Sequence, residues 1–352
     1  MVESPAEAVS LLDRSSTWFC VLRPGDRLAP GAITAYALAA GEAAGARVIY
    51  ADDDLTDSGG GRTEPHFKPA WNPELFEWHD FLTGSCIVSA SPDELTDLPH
   101  DGWAETLVRR IINAGGRPLH LPYVLHHRAS RPEPVIPPNV FVAPLQDAPL
   151  VTVVIPTRNG VDLLRNCIQG IDQADYPRLE VIIVDNGSDE PESLAYLEQL
   201  RSEGKAIIRA DGPFNYSALN NLAVAHARGD LLCFLNNDVE MLDRDWLALL
   251  SRQALRDHIG AVGARLLYPD LTVQHAGVFT GIGGGAGHAH RYERHNERGY
   301  FLRSRLPQRV SAVTAACLVV SKTKFLSVGG FDEKDFPVAF NDVDLCLKLN
   351  KR

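Results

Sequence analysis

Short apolar runs alternate with amphipathic stretches along the carboxyl-terminal half of the sequence. The continuous runs are typical of strands buried on both faces of a sheet, whereas the stretches between them repeat apolar residues at helical spacing. The pattern predicts strands at 150–155, 181–184, 206–208 and 231–235, and helices at 161–171, about 192–200 and 216–227. This alternation implies right-handed crossovers and a mostly parallel sheet flanked by helices, so the predicted fold class is α/β.

Three clusters of polar residues directly follow predicted strands, beginning at Pro156, Asp185 and Asn236. A single cluster of this kind usually forms only a turn, but the carboxyl ends of parallel strands share one edge of the sheet, where α/β proteins bind ligands. Asn236, Asn237 and Asp238 offer short oxygen ligands that suit Mg or Mn, and such a cation suits a diphosphate. The three clusters together predict a ligand site.

A proline-rich segment divides the chain. Residues 128–149 lack helical or strand periodicity, and proline-dense sequences of this kind favour an extended linker. The predicted domains are therefore 1–127 and 150–352. Two domains agree with the length of 352 residues.

Composition narrows the choice of partners and compartment. The formal net charge of −11 at pH 7 disfavours nucleic acid, whose binding requires a basic face. The six cysteines include no CxxC pair and five lie in apolar runs, so we expect reduced core residues and a cytoplasmic protein. No signal peptide and no apolar run of membrane-spanning length are evident, so at most peripheral contact with the inner membrane is expected.

Motifs throughout residues 150–352 resemble those of glycosyltransferase family 2. They are VIPTRNG from Val154, VIIVDNGS from Val181, FNYSALNNLAVAHARGD from Phe214, LLCFLNNDVEML from Leu231, VQHAGV from Val273, SAVTAACLVVS from Ser311, VGGFDE from Val328 and FNDVDLCLKL from Phe340. They occur in the family's order and look like those of bacterial enzymes that build O-antigen and related surface polysaccharides. The resemblance implies a Rossmann-like GT-A fold and transfer of a sugar from a nucleotide-sugar to an acceptor hydroxyl.

The resemblance also implies which residues bind the donor and a metal. The nucleotide-sugar-binding positions are Pro156, Thr157, Arg158, Asn159, Asp185, Asn186, Asn215, Asn221, Asn237 and His275, with Asp185 near the base. Asp238 and Asn236 stand at the family's DxD motif and are the implied ligands of a Mg or Mn cofactor. Because Asn236 replaces the first acidic residue, Asp238 is expected to make most of the metal contact. Glu240 fits either a supporting position beside the metal or a solvated charge.

Asp342 matches the position of the family's catalytic base. From the residues alone, Asn341 is a good N-cap, which puts Asp342 in the first helical turn, where the helix dipole favours a carboxylate. First-turn acidic residues are also common merely for capping, and Asp344 points to a different helix face. Together with the other motifs, the resemblance favours catalysis. One well-placed carboxylate predicts a single displacement that inverts the anomeric centre.

The end of the sequence bears on the predicted metal site. The chain stops at Arg352 within this helix, whereas in the family the following segment includes a histidine that commonly completes the metal site. The resemblance therefore implies a metal shell that is one ligand short, unless another element supplies that ligand.

The amino-terminal half contains an incomplete echo of the carboxyl-terminal half. WFCVLRPGDRL from Trp18 parallels LLCFLNNDVEML, and TGSCIVSASPDEL from Thr83 parallels TAACLVVSKTKFL. In this alignment Gly25 occupies the position of Asp238, and Gly102 lies near the position of Asp342. Glycine can neither bind metal nor take a proton. Residues 1–127 are therefore predicted to form a smaller, degenerate partial GT-A-like domain with an accessory role.

Four further features have competing interpretations. The Asp52–Asp54 run favours a solvated turn over a metal site. The glycine-rich 281–287 segment favours a loop over the donor or acceptor, because no apolar helix follows it as a dinucleotide fingerprint requires. A zinc site formed by nearby histidines and carbohydrate stacking by aromatic residues are both less favoured than ordinary structural roles. The residues concerned are His288, His290 and His295 for zinc, and Trp71, Phe76 and Trp78 for stacking.

The leading prediction is a metal-dependent inverting glycosyltransferase. It would move a sugar from a nucleotide-diphosphate donor to a glycan or lipid-linked acceptor in bacterial surface polysaccharide synthesis. The alternative from another class is a non-catalytic sugar-nucleotide or glycan-binding protein. A nucleotidyltransferase is disfavoured, because no glycine-rich loop bearing a lysine follows the first strand of the carboxyl-terminal domain.

Overall fold

The computed structural model describes residues 4, 7, 9, 17–43, 45–136 and 147–352. The chain divides into two compact units: unit 1 comprises Met1–Pro137 with Leu306–Arg309, and unit 2 comprises Pro138–Arg305 with Val310–Arg352. Residues 137–146 of the predicted linker lie outside the described residues. The predicted domain boundaries at 127 and 150 stay predictions.

Unit 1 contains a six-stranded mixed sheet. The strands are β1 (Thr17–Cys20), β2 (Arg27–Leu28), β3 (Val48–Thr56), β4 (Arg62–His66), β5 (Cys86–Ala90) and β6 (Leu119–Arg128), and the helices are α1 (Ala32–Glu42), α2 (Pro73–Phe76) and α3 (Trp103–Asn113), with a 3₁₀ turn at Pro92–Leu95. The order is β1-β5-β3-β6-β2, with β4 on β3. β3 and β6 are parallel, and the other described pairs are antiparallel.

Unit 2 contains a six-stranded sheet of order β11-β16-β10-β7-β8-β9 and two short hairpin ladders, β12-β13 and β14-β15. The strands are β7 (Val151–Thr157), β8 (Leu179–Asp185), β9 (Ala206–Arg209), β10 (Leu231–Leu235), β11 (Ala261–Gly263), β12 (Leu266–Leu267), β13 (Val273–His275), β14 (Val278–Thr280), β15 (Ala286–His288) and β16 (Cys317–Ser321). The helices are α4 (Val161–Asp172), α5 (Pro191–Ser202), α6 (Tyr216–His226), α7 (Trp246–Ala254), α8 (Lys322–Ser327) and α9 (Asn341–Asn350), with a 3₁₀ turn at Ile282–Gly284.

The centre of this sheet is buried on both faces. Strands β10, β7, β8 and β9 are parallel, and β16 returns antiparallel beside β10. Alternate residues of β10 enter different cores: Cys233 packs in one cluster, and Phe234 packs in the other. This two-sided burial explains the continuous apolar runs of the sequence. The predicted α/β class and mostly parallel sheet are confirmed.

The two halves of the sequence echo form similar strand pairs. β1 is antiparallel to β5 as β10 is to β16, and β3 and β11 add antiparallel to the far sides of β5 and β16. The register differs by one residue: Trp18 lies opposite Ser89, whereas Leu231 lies opposite Ser321. The internal repeat and the accessory role of the first half stay predictions.

Asp52, Asp53 and Asp54 do not form a solvated turn, so that prediction is wrong. All three lie within β3 and are at most 4% exposed. Asp53 is ion-paired with Lys68 (Nζ to Oδ2, 2.8 Å) and Arg131 (Nε to Oδ1, 2.5 Å). These cations hold the pKa of Asp53 well below its usual range, although burial alone would raise it. The strand carries a buried ionic cluster.

We expect Asp53→Asn to lower the free energy of unfolding of unit 1 by about 3–5 kcal/mol, because it leaves the buried Lys68 and Arg131 without their shared counter-charge. Chemical denaturation followed by circular dichroism would measure this loss. Asp101→Asn is the matched control, since the Asp101 side chain is fully exposed and should contribute little. Equal stabilities of the two variants would show that the cluster is not stabilising.

The structure also bears on several smaller predictions. Cys20 is exposed and the other five cysteines are buried and free, so the core prediction is wrong for Cys20 alone. Gly281, Gly283, Gly284 and Gly285 form the turn between β14 and β15, and Gly287 lies within β15, whereas the position of this segment over the donor or acceptor stays a prediction. Phe76 is buried, with its ring 5.3 Å from that of Trp71. Across the described ranges, no helix combines the length and apolar character needed to span a membrane.

Candidate active site

A cavity of about 400 Å³ lies at the carboxyl ends of the parallel strands of unit 2. Eight of the predicted site residues line it: Pro156, Thr157, Arg158, Asn186, Asn236, Asn237, Asp238 and Asp342. The other lining residues are Phe214, Tyr216, Thr314, Ala315, Ala316, Val338 and Asn341. The polar clusters after β7, β8 and β10 therefore do meet at one edge of the sheet.

Pairing of the central strands positions the cluster of Asn236, Asn237 and Asp238. β10 lies beside β7, and the Asn237 Nδ2 donates to Thr157 Oγ1 at 2.9 Å. On the other side, the Asn236 backbone N–H donates to the carbonyl of Ala316 at 3.0 Å. The segment is held from both sides, and Asp238 follows on the cavity wall.

Asp342 faces the same cavity from the first turn of α9. Its Oδ2 accepts from the Ala315 backbone N–H at 3.1 Å, and its Oδ1 accepts from the N–H of Val343 at 2.8 Å. The prediction that Asn341 is the N-cap is wrong. Phe340 is the N-cap in a left-handed conformation, and Asn341 is the first helical residue, with Nδ2 bonded to the Val338 carbonyl at 3.1 Å.

Asn186 lines the cavity and has one side-chain acceptor without a partner. Its Nδ2 donates to the carbonyls of Ala210 (2.8 Å) and Gly212 (3.3 Å), and these two acceptors fix the orientation of the amide. Its Oδ1 is buried and has no hydrogen-bond partner among the described residues. A buried acceptor without a partner is costly, and this one belongs to a residue of the cavity lining.

Asp185 does not line the cavity. Its Oδ1 accepts from the Ser188 N–H at 2.9 Å, and its Oδ2 is paired with Arg209 Nη1 at 2.6 Å. Arg209 donates hydrogen bonds to both Asp185 and Asp211. These bonds raise the pKa of the Arg209 guanidinium. The role of Asp185 near a base stays a prediction, and Arg209 is a neighbour that the sequence did not reveal.

Three other predicted donor-binding residues form hydrogen bonds to the backbone of the protein itself. Asn159 Oδ1 accepts from the backbone N–H groups of Asp189 and Glu190, at 3.0 and 3.2 Å. Asn215 is the N-cap of α6, with Oδ1 accepting from the Ala218 N–H at 2.9 Å. Asn221 bonds both the N–H and the carbonyl of Phe331. None of the three lines the cavity, and their donor-binding roles stay predictions.

His275 is buried behind the cavity wall and not on it. Its Nε2 accepts from the Thr314 N–H at 3.4 Å, and its Nδ1 lies 2.9 Å from Nδ1 of His288. Because Nε2 is an acceptor, the Nδ1 proton of His275 is the one shared with His288. Burial, and then His288, lower the pKa of His275 to about 3. His290 pairs separately with Glu293, so the histidines of this segment do not share one cluster.

The described residues contain no cluster of three or more His, Cys, Asp or Glu that could hold a metal ion. Asp238 is the carboxylate at the strand end, beside the amide groups of Asn236 and Asn237. Magnesium is commonly bound by one or two carboxylates, waters and substrate phosphates, so these oxygen donors fit a metal that arrives with a diphosphate. Glu240 is bonded to Asn166 Nδ2 at 3.1 Å, outside the cavity lining.

Sequence reasoning missed the wall formed by Thr314, Ala315 and Ala316. This segment precedes β16 and contributes backbone groups, and the Tyr216 hydroxyl donates to its Ala315 carbonyl at 2.9 Å. Burial and the nearby Asp342 raise the pKa of Tyr216, so the phenol keeps its proton. The only signal was that Thr314, Ala315 and Ala316 lie inside the SAVTAACLVVS motif, because small residues reveal nothing about backbone contacts.

Comparison with known proteins gives a family match for part of the chain. The model of glycosyl transferase family 2 matches residues 152–314. The O-antigen biosynthesis protein RfbC of Myxococcus xanthus is 33% identical over 92% of this chain and 29% of its own length. The uncharacterized protein y4gI of Sinorhizobium fredii is 35% identical over 86% of this chain and 38% of its own length. The chain thus spans well under half the length of these relatives.

Among solved structures, the mannosyltransferase PcManGT of Pyrobaculum calidifontis, in complex with GDP-Man and Mn²⁺, is similar over 59% of this chain and 54% of its own. The TM-score is 0.42 and the identity 20%. The segment that the family model matches contains the three strand-end clusters and the parallel strands β7 to β10, as the predicted GT-A fold requires. By the family model, residues 152–314 of this chain are a glycosyl transferase family 2 domain.

Proposed function

We propose that this chain transfers a sugar from a nucleotide-diphosphate donor to the hydroxyl of a glycan or lipid-linked acceptor, with inversion at the anomeric carbon. The observation that carries the proposal is that Asp342, Asp238 and Asn186 line one cavity. Each matches one requirement of the reaction: a base, a ligand for a diphosphate-bound cation and a donor-recognising group.

The nucleotide would be held by the side chains after β7 and β8. Asn186 would contact the base from the cavity wall. Thr157 is already bonded to Asn237 and orients that amide toward the diphosphate. Arg158 on the cavity rim offers an exposed guanidinium that can pair with phosphate oxygens.

Asp238 would hold the divalent cation, with Asn236 as a weaker oxygen ligand. When bound, Mg or Mn neutralises the charge that develops on the leaving diphosphate. The net charge of −11 makes such a cation useful, because an acidic protein otherwise repels an anionic donor.

Asp342 would act as the general base. One carboxylate oxygen takes the proton of the acceptor hydroxyl while the hydroxyl oxygen forms a bond to the anomeric carbon and the bond from that carbon to the diphosphate breaks. The N–H groups of Ala315 and Val343 fix the orientation of this carboxylate. Because the nucleophile enters opposite the leaving group, a single displacement inverts the anomeric centre.

The similarity to RfbC supports a role in surface polysaccharide synthesis. In that setting the protein would act in the cytoplasm, at most peripherally on the inner membrane, and the degenerate first domain would assist acceptor binding or assembly. The alternative of a sugar-nucleotide-binding protein without activity predicts donor binding without release of nucleotide diphosphate.

We expect Asp238→Ala to abolish the Mn-dependent rise in melting temperature that a matching nucleotide-sugar gives the unaltered protein, because ligands stabilise only the folded state that binds them. A panel of UDP-, dTDP- and GDP-sugars with and without Mn, followed by assay of nucleotide diphosphate, provides the measurement. Asp243→Ala is the matched control, since Asp243 is exposed and lies outside the cavity. Undiminished Mn-dependent binding by Asp238→Ala would refute the metal assignment, and binding without release would favour the non-catalytic alternative.

A further inference from the structure

A second cleft of unit 2 has the features of a carbohydrate-binding site. It is an open cleft of about 430 Å³ lined by Tyr268, Pro269, Asp270, Thr272 and Tyr292. We propose that this cleft binds a sugar unit of the glycan acceptor, through stacking on the tyrosines and hydrogen bonds to Asp270 and Thr272. The proposal rests on the proposed function for the identity of the acceptor, and the site itself is separate from the donor cavity.

The two tyrosines form an aromatic platform. Their rings are stacked with centroids 5.5 Å apart and an interplanar angle of 9°. The Arg291 guanidinium lies 5.0 Å from the Tyr292 centroid and 5.7 Å from that of Tyr268, which fixes the pair. Tyr292 nevertheless remains 64% exposed. The φ of Tyr292 is 69°, which bulky residues rarely adopt. The backbone keeps this conformation although the Tyr292 ring gains little burial from it.

Polar groups stand beside this platform. Asp270 Oδ1 accepts from the Thr272 N–H at 2.9 Å and from its hydroxyl at 2.7 Å, and these bonds lower the pKa of Asp270. The carboxylate is therefore ionised at neutral pH and accepts hydrogen bonds. Tyr268 Oη accepts from Arg291 Nε at 2.8 Å, which leaves the phenolic proton for a ligand oxygen.

This combination suits a neutral sugar better than other ligand classes. A pyranose has an apolar face of C–H groups, which matches the electron-rich face of an aromatic ring, and an edge of hydroxyls, which are good donors to a carboxylate. The opposite charges of Asp270 and Arg291 offset each other beside the tyrosines, which suits a ligand without net charge. An apolar peptide would leave the Asp270 carboxylate without donors as it desolvates the cleft.

The chain connects this cleft to the donor cavity. Thr272 directly precedes β13, whose last residue, His275, accepts from the N–H of Thr314 on the cavity wall. Three residues of strand span about 10 Å, so the two sites lie at opposite ends of one short, paired strand. If an acceptor glycan binds in the cleft, its neighbouring sugar units would extend along β13 toward the donor cavity.

Saturation-transfer NMR of the full chain with methyl glycosides and with di- to tetrasaccharides of neutral hexoses and deoxyhexoses tests the proposal, without nucleotide or Mn. We expect transfer to the C–H protons of at least one oligosaccharide, and at least a five-fold weaker signal in Tyr292→Ala and Asp270→Ala. Tyr123→Ala is the matched control, since Tyr123 is a tyrosine of the same 64% exposure in unit 1.

The outcomes separate this site from the donor cavity. Saturation transfer that survives in Asp238→Ala and disappears in Tyr292→Ala supports the cleft as a sugar site. This conclusion holds even if no donor binds the protein. Absence of donor binding would count against the proposed function instead. No transfer to any saccharide, an unchanged signal in Tyr292→Ala, or loss in Asp238→Ala would overturn the cleft assignment. Melting curves of each variant confirm that a lost signal reflects the site and not unfolding.

Discussion

Replacement of Asp342 by Asn is expected to lower kcat for sugar transfer by about 10²–10⁴-fold, the usual contribution of a general base. The amide has nearly the shape of the carboxylate but cannot take a proton from the acceptor hydroxyl. Donor binding should persist, because the nucleotide and the metal are assigned to residues that follow β7, β8 and β10. The measurement is the rate of nucleotide diphosphate release with acceptor present, beside the thermal shift produced by the donor.

Asp344→Asn on the same helix is the control for this variant. Asp344 is two residues away and paired with Lys348 at 2.8 Å, so its replacement changes helix charge by the same amount without removing the proposed base. Comparable activity of the two variants would refute the role of Asp342. A product that keeps the donor's anomeric configuration, observed by NMR, would refute inversion separately.

The geometry around Asp342 shows what the sequence could and could not predict. Strand periodicity alone indicated that the residues after β7, β8 and β10 meet at one edge, because parallel strands end together. The wall at Ala315 could not be predicted, since it acts through a backbone N–H that any residue would supply. The unpartnered acceptor of Asn186 depends on two carbonyls, of Ala210 and Gly212, that no local pattern indicates.

The aspartates of β3 illustrate a different error, in which a local pattern predicted exposed side chains and the structure buries them. Three consecutive carboxylates read locally as a solvated turn, because an isolated charge is too costly to bury. Asp53 is buried nevertheless, since Lys68 and Arg131 approach it from distant parts of the sequence. Only the pairing of β3 with β4 and β6 brings these groups together. Burial of charge is therefore a tertiary property that composition and spacing do not reveal.

The same cluster makes unit 1 sensitive to acid. Three histidines near it are buried: burial, and then the charge of Lys68, lower the pKa of His66 to about 2, of His126 to about 3 and of His79 to about 4. In the unfolded chain each imidazole takes up a proton as the pH falls through about 6.5. The folded unit keeps all three neutral, so acid favours the unfolded state.

We therefore expect the stability contributed by these histidines to be complete above pH 6.5 and to be lost as the pH falls from 6.5 toward 4. Each neutral buried histidine contributes a slope of about 1.4 kcal/mol per pH unit, and three give about 4 kcal/mol per pH unit. Among the described residues, unit 2 has one histidine buried to this degree, His275, and the pKa of the less buried His288 is also lowered by burial, so its slope should be smaller than that of unit 1.

Hydrogen exchange resolved by peptide would measure this difference, as the opening free energy of β3 and β6 against that of β7 between pH 7.5 and 5, after correction for intrinsic exchange. His66→Gln should remove about a third of the unit 1 slope, whatever it does to stability at neutral pH. His100→Gln should leave the slope unchanged, because that side chain is 88% exposed and already solvated. Equal slopes in the two units would mean that the buried histidines take up protons in the folded state, and the ionic cluster around Asp53 would then have to absorb additional positive charge.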